Sequence, residues 1–100
     1  MKSLANSFKD LGFISDVFKR REDERHYFNL VFVKDLSRNT SLIIEGYRMK
    51  GYSTYRFDFY KSTYIDGGKK VREKVYLENA SPLQVLQRVT SFVNYIERSS

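Results

Sequence analysis

The chain has 100 residues, of which 41% are hydrophobic and 16% aromatic, and its 18 Lys and Arg against 12 Asp and Glu give a formal net charge of +6. That is the size of one domain, with enough apolar material for one core and too much for a disordered segment. The absence of Cys excludes a disulfide framework and a thiolate metal site, and the positive balance points to anionic partners without bearing on the fold.

Residues 2–10, KSLANSFKD, read as a short helix, because Leu4, Ala5 and Phe8 share one face and Gly12 ends the pattern. Leu4, Phe8, Leu11 and Phe18 also fit one longer helix reaching about residue 20. A strand is preferred over residues 12–20, since Gly12 interrupts the helical spacing and Phe13, Ile14, Val17 and Phe18 favour extended backbone. KRREDER at 19–25 sets four bases against three acids and reads as a solvated turn.

HYFNLVFVKD at 26–35 is the clearest strand. Phe28, Leu30 and Phe32 point one way and Tyr27, Val31 and Val33 the other, which suits a central position. LSRNT at 36–40 reads as a loop. TSLIIEGYRM is a third strand, turned by residues 49–53, and STYRFDFYK is the fourth. IDGGKK carries a hairpin signal, and VREKVYLE is the fifth strand. The last element is a helix with Ser81 as N-cap, Pro82 in the first helical position and Gln84 closing a capping box. Leu83, Leu86, Val89, Val93 and Ile96 repeat at helical spacing behind it, widened by Val85 and Phe92.

The fold class expected is α+β: one domain over residues 1–100, an antiparallel meander of four to five strands packed by a C-terminal helix, with a short N-terminal helix. One sheet face is then covered and the other left at least partly open, unless a second copy pairs through it as a homodimer.

Alternation sorts the aromatic-rich stretch GYSTYRFDFYKSTY. Tyr55, Phe57 and Phe59 fall under the helix, while Thr54, Arg56, Asp58 and Tyr60 face away, continued by Tyr52, Ser62 and Tyr64. On the fifth strand the same rule makes Val71, Val75 and Leu77 the apolar set and Arg72, Lys74, Tyr76 and Glu78 the polar one. The positive charge is concentrated here, with nine bases against four acids from Arg38 to Lys74. The expected site is therefore an uncovered face on which Arg48, Lys50, Arg56, Lys69, Lys70, Arg72 and Lys74 hold phosphates and Tyr52, Tyr60 and Tyr64 stack on bases. Exposed rings among cations are what single-stranded DNA and RNA use. A solvated sheet kept soluble by its charges accounts for the same composition. Gly67 and Gly68 beside Lys69 and Lys70 allow a phosphate-contacting turn, which a plain hairpin explains as well.

No catalytic constellation is present. His26 is the sole histidine, the acids are scattered or clustered in the Glu22-Asp23-Glu24 turn, and the glycine spacing is not that of a P-loop. A non-enzymatic nucleic-acid-binding protein without cofactor or metal is the first expectation. The second is an inhibitor or adaptor, of the kind phages and mobile elements encode, that docks Arg and Tyr on an acidic protein surface such as that of a nuclease or polymerase. No run approaches the roughly 18 apolar residues of a membrane span, and MKSLANSFKD lacks the apolar core of a signal peptide, so a cytoplasmic protein without membrane contact is expected.

Overall fold

A computed structural model describes residues 3–16, 26–49, 51, 54–65 and 69–99. The order is α1 (Leu4–Asp10), β1 (Ile14–Asp16), β2 (His26–Ser37), β3 (Thr40–Met49), β4 (Arg56–Ile65), β5 (Lys69–Ala80) and α2 (Pro82–Ser99). The strands form one antiparallel sheet in the order β1-β2-β3-β4-β5. The thinnest dimension, 20 Å, is that of one helix layer on one sheet layer.

Each element follows from local chemistry. Ser3 caps α1, its Oγ accepting from the Asn6 backbone N–H at 3.2 Å, and Gly12 at φ +96° turns the chain out of the helix into β1. The capping box on α2 is complete: Gln84 N–H donates to Ser81 Oγ at 3.2 Å, and Ser81 N–H donates to Gln84 Oε1 at 2.9 Å. Residues 36–40, expected as a loop, are mostly strand. β2 runs through Ser37 and β3 begins at Thr40, so the turn is only Arg38-Asn39. The IDGGKK turn falls largely outside the described residues, as do Val17, Phe18 and the KRREDER run.

Both helices lie on the same sheet face. The core there consists of Phe8, Phe13, Phe32, Leu42, Ile44, Phe57, Phe59 and Ala80, closed by Val85, Val89 and Val93 of α2. Phe8 from α1 touches Phe32 at 5.1 Å and Phe57 at 6.5 Å between ring centroids, which fixes the short helix to the sheet. Tyr55 packs against this core as its parity required, whereas Leu83, which the helical spacing placed in the buried stripe, is exposed.

On β5 the expected alternation fails. Nine positions of β4, Phe57 to Ile65, face twelve of β5, Lys69 to Ala80, so three residues of β5 are extra. The register steps lie between Phe57 and Phe59, between Phe59 and Tyr60, and between Thr63 and Tyr64. A one-residue bulge moves every following side chain to the opposite face. Tyr76 is the extra residue at the second step, and it turns inward against Phe59 at 5.3 Å and Phe92 at 4.7 Å, beside Leu77, which is partly buried against the core. Val75, expected in the core, pairs with Tyr60 on the opposite face and is 45% exposed. Arg72 and Lys74 pair with Thr63 and Lys61 and so belong to the helix-bearing face, not the open one.

Gly46 sits between Leu30 and Phe57 in the register, and a Cβ there would meet the buried Phe57 ring at 2.6 Å. The ring is buried and packs against Phe8 and Tyr55, so making way for a methyl group disturbs these contacts. Gly46→Ala is expected to destabilise the protein by about 1–3 kcal/mol, measured by denaturant unfolding. An unchanged midpoint would show that the core around Phe57 is loose.

Candidate nucleic-acid interface

Register pairs place residues on a common face, so the charged side chains can be sorted row by row. On the helix-bearing face one row runs Lys34–Leu42–Lys61–Lys74 across β2 to β5. Arg72 and Lys69 follow it toward the β4–β5 turn, and Arg48 lies at the far end of β3. No acid of β2 to β5 has this parity among the described residues. The opposite face carries Asp35, Glu45, Asp58 and Glu73, with Arg56 and Lys70 as its bases. The sheet is cationic on the side that holds the helices and acidic on the side that does not.

The open face is built around two carboxylates directly opposite one another, Glu45 on β3 and Asp58 on β4. Like charges in that position repel. Two tyrosines offset this by donating along the diagonals: Tyr47 Oη to Asp58 Oδ1 at 3.1 Å, and Tyr60 Oη to Glu45 Oε2 at 3.1 Å. The Asn79 backbone N–H also donates to Asp58 Oδ1 at 2.9 Å. Asn79 stands in the left-handed region at φ 51°, and Arg56 braces it, donating from Nε to Asn79 Oδ1 at 3.0 Å and from Nη2 to its carbonyl oxygen.

Two residues at the heart of the expected site are therefore occupied. Tyr60 and Arg56 do lie on the face opposite the helices and are half-buried, beside Val31, Ile43, Ser41 and Ser62, which are buried there, but one is bound to a carboxylate and the other to a bulge. Tyr64 lies on the same face opposite Lys70, which pairs with Glu73 at 2.7 Å. Lys50 and Tyr52 lie outside the described residues. The expected set is thus divided, with Tyr60, Tyr64, Arg56 and Lys70 on the acidic face and Arg48, Lys69, Arg72 and Lys74 on the cationic one.

The cationic face has its own like-charge pair, Lys61 directly opposite Lys74. The acid pair is satisfied by hydrogen-bond donors. Among the described residues, no carboxylate or carbonyl acceptor reaches Lys61, Arg72 or Lys74, although Lys74 Nζ lies 5.7 Å from the Tyr76 ring centre. Lys34 Nζ reaches over Gly12 at the α1–β1 turn. Lys34 and Lys61 are the residues missing from the expected site. The available signal was the parity of Lys61 with Phe57 and Phe59, which puts it on the covered side of β4.

A protein of Bacillus subtilis (strain 168) described as "Uncharacterized protein YddA" is 40% identical to this chain over 99 residues, covering 99% of the chain and 87% of that protein. The chain belongs to the YddA family. No family model matches it, and no solved structure does. Among the described residues of this YddA-family chain there is no group of three His, Cys, Asp or Glu side chains placed to hold a metal, and no helix long and apolar enough to cross a membrane.

The Tyr47–Asp58 contact has a pH signature. Burial, then the Asp58 charge and its hydrogen bond, push the Tyr47 hydroxyl from 10.0 up to about 12. Arg56 pulls the other way and Glu78 adds to the rise. A raised folded-state value means that folding favours the neutral phenol. Its contribution to stability is fully present below pH 10 and is lost as the pH climbs from 10 to 12. Tyr47→Phe is expected to cost about 0.5–1.5 kcal/mol at neutral pH and to flatten the loss of stability across that window. Urea unfolding of both proteins at pH 8, 10 and 11.5 measures it, and parallel curves would refute the coupling.

Proposed function

We propose that this protein is a non-enzymatic nucleic-acid-binding protein that holds the backbone of RNA or single-stranded DNA on the helix-bearing face of its sheet. Lys34, Lys61, Lys74 and Arg72 contact phosphates, with Lys69 extending the surface. The observation that carries the proposal is the Lys61–Lys74 pair. Two cations directly opposed across strands cost stability, roughly 0.2–1 kcal/mol in the usual range of such pairs. The matching acid pair on the other face is offset by tyrosine hydroxyls, whereas among the described residues no hydrogen-bond acceptor reaches the lysine pair, whose nearest offsetting group is the Tyr76 ring 5.7 Å from Lys74 Nζ. A local rule broken without compensation is what a ligand-binding surface looks like before its ligand arrives. An anionic polymer supplies a partner for the three lysines of the row, which spans three strand spacings or about 14 Å.

The stacking role expected of Tyr60 does not enter the proposal, because its ring stands among carboxylates that repel phosphate. Binding here is dominated by phosphate contacts and is sequence-tolerant. A cytoplasmic location is part of the same proposal.

Fluorescence anisotropy with a labelled 20-nucleotide RNA and its DNA counterpart tests it. Four phosphate contacts predict a log–log salt slope of about −3, and Lys61→Glu should reduce both affinity and slope. The same substitution turns a repulsive pair into an attractive one, so it should leave stability unchanged or higher while binding falls. No binding at 50 mM salt and micromolar protein, or a Lys61→Glu variant that binds as the parent does, would overturn the assignment.

A further inference from the structure

Only Ser81 separates β5 from α2, and the helix lies back along the strand it follows. Phe92 fixes the alignment, its ring 4.7 Å from Tyr76 of β5 and 5.6 Å from Phe59 of β4 between centroids. The chain lengths agree with this: about 16 Å of helix runs from Ser81 to Phe92, and about 13 Å of strand from Tyr76 to Ala80. Past the contact, α2 continues alongside the part of β5 that carries the lysine row. Lys74, two residues from Tyr76, is exposed with its Nζ 5.7 Å from the Tyr76 ring centre. Tyr95, one helical turn from Phe92, is 69% exposed.

Helical spacing decides the flank on which Tyr95 stands. Val85, Val89 and Val93 are buried and mark the inward line of α2, and Phe92 lies on the β5 side of that line. Arg88 and Tyr95, four residues before Phe92 and three after it, share its flank and are both exposed. Glu97, the one acid of α2, falls on the other flank. Tyr76 and Phe92 spend their rings on each other and on Phe59, whereas Tyr95 keeps a large ring in water beside cations.

We infer that Tyr95 stacks on an unpaired nucleobase of the strand whose phosphates lie on the lysine row. The inference rests on the phosphate-binding reading of Lys34, Lys61, Arg72 and Lys74, and it adds that the surface distinguishes base-bearing single strands from base-free polyanions. A nucleotide presents a base and a phosphate joined through one sugar, and Tyr95 and Lys74 flank one and the same ring contact. Stacking of this kind accepts any base, because every base has a π face. The ring that the sheet does not supply at Tyr60 thus comes from the helix.

The test is fluorescence anisotropy on the full-length protein with a labelled 20-nucleotide oligothymidylate, the matching oligouridylate and an abasic strand with the same number of phosphates. The parent should bind the base-bearing strands at least about fivefold more tightly than the abasic one. Tyr95→Ala should abolish that advantage while leaving the abasic affinity, the salt slope and the unfolding midpoint unchanged, and Tyr95→Phe should retain it. In the parent, the Tyr95 ring protons should shift upfield with oligothymidylate and not with the abasic strand, which decides the matter if the alanine variant does not fold. Equal affinity of the parent for base-bearing and abasic strands, a Tyr95→Ala variant that keeps the preference, or one that loses abasic binding as well would overturn the inference and leave the phosphate face standing. Binding of none of the three strands would overturn both.

Discussion

β5 is longer than the part of β4 it pairs with, and the distribution of charge on the molecule depends on how that excess is absorbed. Each extra residue reverses the parity of the chain beyond it. Without the step at Tyr76, Lys74 would share a face with Tyr60, and Val75 would lie inward. With it, Tyr76 fills the space between Phe59 and Phe92, Val75 comes opposite Tyr60, and Lys74 comes opposite Lys61. A single backbone irregularity thus creates the cationic pair and moves Val75 to the face opposite the helices. The step nearest α2 is held by hydrogen bonds from Arg56 and to Asp58, so charged residues of β4 spend their polar groups on the geometry of β5.

The two faces handle like-charge pairs differently, and the difference bears on function. Glu45 and Asp58 are arranged as a closed polar network in which tyrosine hydroxyls and a backbone N–H occupy carboxylate lone pairs. Such a network rigidifies the centre of the sheet, and its acids are available to a partner only at their outer edges. Lys61 lies directly opposite the fully buried Leu42 and is half-buried, and Lys74 beyond it is exposed, its Nζ 5.7 Å from the Tyr76 ring centre. The acid pair is bound up in hydrogen bonds, whereas no acceptor among the described residues reaches the lysine pair.

A two-sided design follows. A small sheet with helices on only one side normally uses the other face either as a solvated surface or as a binding surface. In this chain Lys34, Lys61, Arg72 and Lys74 sit on the helix-bearing face, while Asp35, Glu45, Asp58 and Glu73 sit on the other.

Residue order alone determined the element types and the class of fold. The capping box at Ser81 and Gln84, the alternation through Phe57 and Phe59, and the helical repeat of Val85, Val89 and Val93 are local signals, each set by residues within a few positions of one another. The length of the hairpin at Arg38-Asn39 was not legible, because turn-favouring residues also sit at strand ends. The candidate site was half legible. Alternation put Tyr60 and Arg56 on the open face, but nothing near them in the chain announced that Glu45 and Asn79 would claim their polar groups. Which cations gather together was decided by tertiary structure, since Lys34, Lys61 and Lys74 meet only through register. Register beyond a bulge depends on whether Tyr76 is worth more against Phe59 and Phe92 than in solvent, and that comparison involves residues far apart in the chain.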